Sequence, residues 1–293
     1  MITGVHAAAR HRVIERLEES EQRRLRECAT QAAEDFADSV RAIYRSSDES
    51  DKLPEHIGSC LLLDVDGTKV LSTAAHITDD MTKGATLFVA APPRLQLVPI
   101  VGGRIKTTTA PNKDRHLDHS DCAFWRVPDE VVEDLGAANF LGRLRLSHNR
   151  SPLERRYYTS LGYAVSRNNK GVDHVTRSIT IIPSMHTSNA VPEPALAKKL
   201  GAASDEHIFV RFEKRAQDVN GATVNTFHPK GFSGGALLDL GDFTSPAIYA
   251  GSTRQRALLS GMMIEYHKEH RAIVAVKIGA IVNGIRNALR RSS

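Results

Sequence analysis

Three residue types that together can activate a nucleophile lie in short, distinctive segments of this chain. They are the histidine of Ser72-Thr73-Ala74-Ala75-His76, the aspartate of Ser120-Asp121-Cys122-Ala123-Phe124 and the serine of Gly231-Phe232-Ser233-Gly234-Gly235. A serine hydroxyl is a weak nucleophile until a base removes its proton, and a carboxylate can hold a histidine in the tautomer that does so. The ordered set therefore predicts acyl-transfer chemistry at a serine.

In this order, the three segments resemble the chymotrypsin-like (trypsin-like) serine protease family. The resemblance implies that His76 is the general base, that Asp121 accepts the Nδ1–H of the histidine, and that Ser233 is the nucleophile. It also implies an oxyanion hole formed by the backbone N–H groups of Gly231 and Ser233. No cofactor and no metal are expected for this chemistry.

The glycines around Ser233 suit a nucleophile. Gly231 allows a sharp turn before the serine, and Gly234 and Gly235 carry no side chain that would crowd a substrate. An ordinary glycine-serine loop has a similar composition, so the segment alone leaves that alternative open. The family more often has an aspartate directly before the serine. This chain has Phe232 there, which predicts an enzyme that needs no activating cleavage.

The residues that flank His76 and Asp121 mark them as the catalytic candidates. Residues 70–75 predict a buried strand that ends on small side chains, which leave room for an imidazole. An apolar run directly follows Asp121, as in the family, whereas Asp118 is expected in a polar loop. A strand-initiating cap is the alternative role for Asp121. The separations, 121 − 76 = 45 and 233 − 121 = 112 residues, fit one barrel between the first two residues and most of a second before the serine.

The elements that position these residues are predicted to be mainly β. Many short strands favour two six-stranded antiparallel β-barrels, at about 54–150 and 151–278, with a cleft between them. Residues 259–263 resemble the family's pocket-lining strand and 272–278 its last strand. Apolar residues at helical spacing predict a C-terminal helix over 279–290. Further strands are expected at 58–65, 68–72, 85–91, 122–127, 157–165, 175–182 and 208–212.

An N-terminal segment, residues 1–50, stands apart from the predicted protease domain at 51–293. Residues 13–45 contain no glycine or proline, and their apolar positions recur with helical spacing, which predicts an amphipathic helix, or two. Residues 46–51 predict a polar linker. The helix can pack on the barrel surface or bind a regulatory partner, and the sequence leaves both roles open.

Composition indicates an ordinary globular protein, with 41% hydrophobic and 25% charged residues. No apolar run reaches the length of a membrane span, so no membrane partner is expected, and no secretion signal is visible. Cys28, Cys60 and Cys122 are too few for the disulfide framework of a secreted protease. Secreted relatives bond a cysteine near the position of Cys60 to one directly after the active-site histidine, where this chain has Ile77. Free thiols and a cytoplasmic location are therefore predicted.

The resemblance also indicates a substrate pocket. Phe227, six residues before the nucleophile, would lie at its base, and Ile264 and Tyr266 would line its wall. A carboxylate at the base would select Arg or Lys, so Phe227 argues against trypsin specificity and favours a shallow, apolar pocket. His228 favours an acidic side chain equally well, and the sequence does not decide between the two.

The remaining charged features are less specific. The formal net charge is +5 and residues 286–291 are basic, but aromatic residues make up only 5% and no nucleic-acid motif is present, so nucleic-acid binding is not expected. His116, Asp118 and His119 lack the further ligands of a metal site.

The sequence predicts a serine endopeptidase that acts on a polypeptide substrate through an acyl-enzyme intermediate, with an esterase as a variant. The alternative is a catalytically silent protease-like module that binds peptide or a partner protein. The joint presence of histidine, aspartate and serine argues against that alternative.

Overall fold

The chain is mainly β, with seventeen strands and few helices among the residues that are described. The computed structural model describes residues 3–46, 54–79, 81, 84–91, 96–101, 105–108, 118–147, 156–168, 172–173, 178–191, 194–200, 205–218, 220–243 and 256–291. No helix in these ranges combines the length and the apolarity that crossing a bilayer requires.

The first sheet has seven antiparallel strands, one more than predicted. They are β1 (Val40–Arg45), β2 (Glu55–Val65), β3 (Thr68–Ala74), β4 (Leu87–Ala91), β5 (Gln96–Pro99), β6 (Ile105–Thr107) and β7 (Cys122–Arg126), in the order β5-β4-β1-β2-β3-β7-β6. Asp66 and Gly67 both have positive φ, as a tight hairpin turn requires, which confirms the turn between β2 and β3. The apolar run at residues 60–63 of β2 is explained by burial, since β2 is buried along most of its length.

The extra strand, β1, corrects the prediction for the N-terminal segment. The first helix, α1 (Thr3–Ala37), ends before the predicted boundary at residue 45, and Val40–Arg45 instead pairs with β2 on one side and β4 on the other. Val40, Ile43 and Tyr44 belong to types that suit a strand buried in a sheet. Non-local pairing therefore overrides the helical spacing over these six residues. Of the predicted linker, only Ser46 lies within the described ranges.

The second sheet has six antiparallel strands. They are β8 (Arg156–Gly162), β11 (Ser184–Asn189), β12 (His207–Arg211), β15 (Ala236–Asp242), β16 (Leu258–His267) and β17 (Ala272–Lys277), in the order β11-β8-β15-β16-β17-β12. Its two edges approach each other just beyond β11, where Ala190 bridges Val210 and the N–H of Val191 donates to Phe209 O at 2.8 Å.

Two ribbons and five further helices complete the described elements. The ribbons pair β9 (Val172–Asp173) with β10 (Ser178–Ile179) and β13 (Arg215–Gln217) with β14 (Thr223–Asn225). Of the predicted strand at 175–182, residues 175–177 lie outside the described ranges, and among 178–182 the strand covers Ser178–Ile179. The helices are α2 (Ala75–Thr78), α3 (Asp129–Leu135), α4 (Val165–Asn168), α5 (Pro194–Lys199) and α6 (Ile278–Arg290), with short 3₁₀ turns at Ala137–Asn139 and Arg143–Arg145.

Both terminal helices pack on the sheets through apolar faces. The predicted C-terminal helix is confirmed as α6, which buries Ile278, Ile281, Val282 and Ile285. Helix α1 packs Ala29, Ala32 and Phe36 against the core that both sheets share. A second core cluster lies within the first sheet and a third within the second. Packing on the sheet surface is thus the observed role of α1 over residues 29–36.

Candidate active site

His76 and Asp121 form a short, direct pair. His76 is the second residue of α2, just after β3, and Asp121 directly precedes β7, the partner of β3 in the sheet. The Nδ1 of His76 lies 2.6 Å from Oδ2 of Asp121, and the backbone N–H of His76 donates to Oδ1 at 2.9 Å. Both carboxylate oxygens are therefore occupied by one histidine. This contact fixes the orientation of the ring and its tautomer.

The environment of His76 favours its protonated form. Burial alone would lower the pKa of the imidazole, but the hydrogen bond to Asp121, the charge of that carboxylate and the charges of Asp79 and Glu265 outweigh it, so the pKa is raised. The imidazole is 42% exposed and the Asp121 side chain 9%. The pair is thus anchored on its carboxylate side and open on its imidazole side, as a general base requires.

Ser233 lies in a tight turn that requires glycine at positions 231 and 234. Gly231 and Gly234 have φ of +95° and +84°. A Cβ at Gly234 would lie 1.9 Å from Ser59 O and 2.4 Å from Thr73 Oγ1. The absence of a side chain at Gly234 therefore makes room for the protein's own strands β2 and β3, where the sequence pattern indicated room for a substrate.

Ser59 connects this turn to the first sheet. Its N–H donates to Ser233 O at 2.9 Å and its hydroxyl donates to Gly231 O at 2.7 Å, while Tyr163 N donates to the same hydroxyl at 3.0 Å. Sequence reasoning missed Ser59. The available signal was a small polar residue within the otherwise apolar run of β2.

The backbone N–H groups of Gly231 and Ser233 have no hydrogen-bond acceptor among the described residues. Neither Gly231 N nor Ser233 N makes a hydrogen bond to any described residue, although their neighbours Phe232 N and Gly234 N donate to Pro229 O and Met263 O. Unused donors on either side of a serine can stabilise a developing oxyanion.

The hydroxyl of Ser233 donates to the carbonyl oxygen of Ile264 on β16, at 3.1 Å. Within the described part of the chain it makes no hydrogen bond to His76. A rotation about χ1 between staggered wells would redirect the hydroxyl, and such contacts are often loose before substrate binds. The structure therefore holds an assembled histidine–aspartate pair beside a serine that is not yet coupled to it.

A cleft of about 470 Å³ contains this chemistry. His76, Asp121 and Ser233 line it, together with His228, Ile264 and Tyr266. The structure thus brings the three predicted catalytic residues and three of the four predicted substrate residues to one cavity.

The fourth predicted substrate residue, Phe227, lies outside the lining of the cleft. Its ring packs 4.8 Å from Phe232 and 5.6 Å from Phe212, which in turn lies 5.5 Å from Tyr266. Arg167 covers Phe227 from another side, 5.1 Å from its ring centre. Behind the serine, these rings form an aromatic cluster.

Other candidate chemistry is not supported among the described residues. No three His, Cys, Asp or Glu side chains there are grouped as a metal site requires, and His116 lies outside the described ranges. The three cysteines are free thiols. Complete burial raises the pKa of Cys60 to about 12, which makes its thiolate scarce at neutral pH.

Similarity to known proteins is found among solved structures. No family model matches the chain, and no curated protein matches its sequence. Among solved structures, the chain is similar to the serine endoprotease from Yersinia pestis, with 14% sequence identity and a TM-score of 0.49 over 90% of this chain and 66% of that one. The chain spans less than two thirds of the length of that protein.

A prediction on stability follows from the serine turn. Replacing Gly234 by alanine adds a Cβ at positive φ and in overlap with Ser59 O, so we expect a loss of roughly 2–5 kcal/mol in the free energy of unfolding, measured by urea denaturation. Gly67→Ala is the matched control. It has φ of +87° but nothing within 4 Å of the new Cβ, so only the backbone cost of about 1–2 kcal/mol applies. Equal losses in both variants would contradict the close approach at Gly234.

Proposed function

We propose that the chain is a serine endopeptidase that cleaves polypeptides through His76, Asp121 and Ser233. One observation carries the proposal: the 2.6 Å contact of His76 with Asp121 lies in the cleft that Ser233 also lines. In this mechanism His76 takes the proton of Ser233, and the serine oxygen attacks the peptide carbonyl. The unpartnered N–H groups of Gly231 and Ser233 bind the oxyanion, and losing one such donor costs roughly 100- to 1,000-fold in rate.

The collapse of the first intermediate expels the amine of the substrate, to which His76 returns the proton. Water, deprotonated by His76, then attacks the acyl-enzyme and releases the carboxylic acid and the free serine. Asp121 remains ionised throughout and stabilises the imidazolium. Each step uses side chains that line one cleft, and none requires a cofactor.

The test is cleavage of a mixed peptide library, read by mass spectrometry of the new termini. The proposal expects new termini with the wild-type chain and none with Ser233→Ala. A wild-type chain that is folded and leaves the library intact would contradict it.

A second candidate function is a silent module that binds peptide without cleaving it. The observation that favours it is the hydrogen bond from Ser233 Oγ to Ile264 O, since a serine held there is not activated by His76. Binding of library peptides with equal affinity by the wild type and Ser233→Ala, without cleavage, would support this second candidate.

The cleft also supports a proposal on specificity. Tyr266 lies opposite Ile273 in the pairing of β16 with β17, and both line the cleft beside Ser233. The ring of Phe212 packs 5.5 Å from Tyr266 and 5.6 Å from Phe227, and we propose that these rings close the pocket to large side chains. We therefore expect cleavage after small side chains.

Replacing Tyr266 by alanine should open this pocket. The ratio of kcat/KM for leucine over alanine before the scissile bond should rise about 10-fold or more, since each added methylene that a pocket can accept is worth roughly 10- to 200-fold. Two peptides that differ only at that residue measure the ratio. A preference for aspartate or glutamate in the wild type would instead assign specificity to His228, which lines the same cleft.

A further inference from the structure

The loop that carries Asp121 contains a second buried carboxylate, Asp118, which the sequence pattern assigned to a polar loop. In the structure Asp118 is 7% exposed, as is Asp121. We propose that Asp118 and Thr108 are positioning residues that hold Asp121 against His76. This role rests on the proposed function and deepens it.

The backbone at Asp121 needs such support. Its φ is +33°, a conformation that is uncommon for any residue other than glycine. A residue held in this region relaxes unless its surroundings fix it. The N–H of Asp121 donates to Oδ1 of Asp118 at 3.1 Å, which ties the unusual backbone to a buried acceptor. The carboxylate of Asp121 is thereby aimed at the histidine.

Thr108 joins this acceptor to the sheet. Its hydroxyl donates to Oδ2 of Asp118 and accepts the N–H of Cys122, the first residue of β7, at 3.1 Å. Its own N–H donates to Cys122 O at 2.8 Å. One threonine therefore fixes both the carboxylate that holds Asp121 and the strand that begins directly after it.

By holding Asp121, Asp118 and Thr108 fix the distance between its carboxylate and the Nδ1 of His76. Misplacing a catalytic group by about 1 Å can cost roughly 100-fold in rate. If the loop relaxes, Asp121 loses contact with Nδ1, and the contribution of that contact to the raised pKa of His76 falls. Changing Thr108 leaves the charged and titratable groups that line the cleft around His76 in place. These groups are Asp79, Asp118, His119, Asp121, His207, His228, Lys230, Glu265, Tyr266 and His267.

The positioning role can be tested with Thr108→Val, because this substitution removes a hydroxyl without changing any charge near His76. We would measure the second-order rate of reaction with a fluorophosphonate, which needs no known substrate, across pH 5 to 9. We expect Thr108→Val to react roughly 10- to 100-fold more slowly and to keep its reactivity to lower pH than the wild type. Thr108→Ser, which retains the hydroxyl, should recover most of the rate and the wild-type pH profile.

Two more variants complete the design. Asp118→Ala removes both acceptors and should lose about 100-fold. Thr187→Val removes a threonine hydroxyl that pairs with Thr159 Oγ1 on the second sheet, at 2.8 Å, and should leave the rate and the pH profile unchanged. If Asp118→Ala does not fold, as judged by circular dichroism, the two Thr108 variants decide.

The outcomes separate this role from the proposed function. Wild-type rates and an unchanged pH profile in Thr108→Val would overturn the positioning role and leave the peptidase intact. A slower rate with an unchanged pH profile would also overturn it, since it would show a loss that does not act through His76. A wild type that does not react at all would remove the peptidase proposal and the positioning role with it.

Discussion

Ser233→Ala should abolish hydrolysis, with kcat for an activated ester or peptide lowered by roughly 10⁶-fold, as in other enzymes where one triad member is removed. The physical reason is that, among the described residues, no other serine and no threonine or cysteine lines the cleft that holds the His76–Asp121 pair. A pH-stat or chromogenic ester assay measures the loss. The fold should persist, because among the described residues the serine hydroxyl makes one hydrogen bond, to Ile264 O.

Ser184→Ala is the matched control for this experiment. Ser184 is buried on β11, and its hydroxyl has no hydrogen-bond partner among the described residues. Removing an unsatisfied hydroxyl costs little or is stabilising. Hydrolysis that survives in Ser233→Ala, or that is lost equally in Ser184→Ala, would show that Ser233 is not the nucleophile.

Asp121→Asn should lower kcat by roughly 10⁴-fold, because an amide that donates to Nδ1 selects the wrong tautomer of the histidine. The pH profile should change as well. His76 must be neutral to accept a proton, so activity in the wild type falls as pH drops through its raised pKa. Without the charge of Asp121 that pKa decreases, and the residual activity of the variant should persist to lower pH. Steady-state kinetics across pH 5 to 9 measure both effects.

The control for Asp121→Asn is Asp134→Asn, which makes the same change at an exposed position on α3 and should leave kinetics unchanged. Asp118→Ala should lose far less than Asp121→Asn, because Asp118 acts on the backbone of Asp121 and makes no contact with His76. Equal losses at Asp118 and Asp121 would contradict the choice of Asp121 as the partner of the histidine.

The sequence predicted those helices, strands and turns whose patterns lie within their own residues. The Asp66-Gly67 turn, the apolar runs of β2, β3 and β7, and the helical spacing of α6 are properties of neighbouring residues. They placed His76 at the end of one strand and Asp121 directly before another, and the structure shows that these two strands pair. The proximity of Ser233 to this pair depends on packing between the two sheets, and only the resemblance to a family indicated it.

The predictions that were wrong or absent share one physical cause. In each case, contacts with residues far away in the sequence determine the structure. Residues 40–45 continue the helical spacing of α1, yet pairing with β2 and β4 makes them a strand. Asp118 is polar, yet Thr108 and Asp121 supply the partners that allow its burial. Ser59 lies in an apolar run, yet it holds the turn at Ser233 from 172 residues away, through Gly231. No local pattern contains these partners.

Covalent labelling can show whether Ser233 is an activated nucleophile. The purified chain would be incubated with a fluorophosphonate, and the modified residue located by mass spectrometry of the digested protein, beside Ser233→Ala. We expect one adduct, on Ser233, that is absent from the variant and forms more slowly in Asp121→Asn. A folded wild type with no adduct, or with an adduct on another residue, would contradict it.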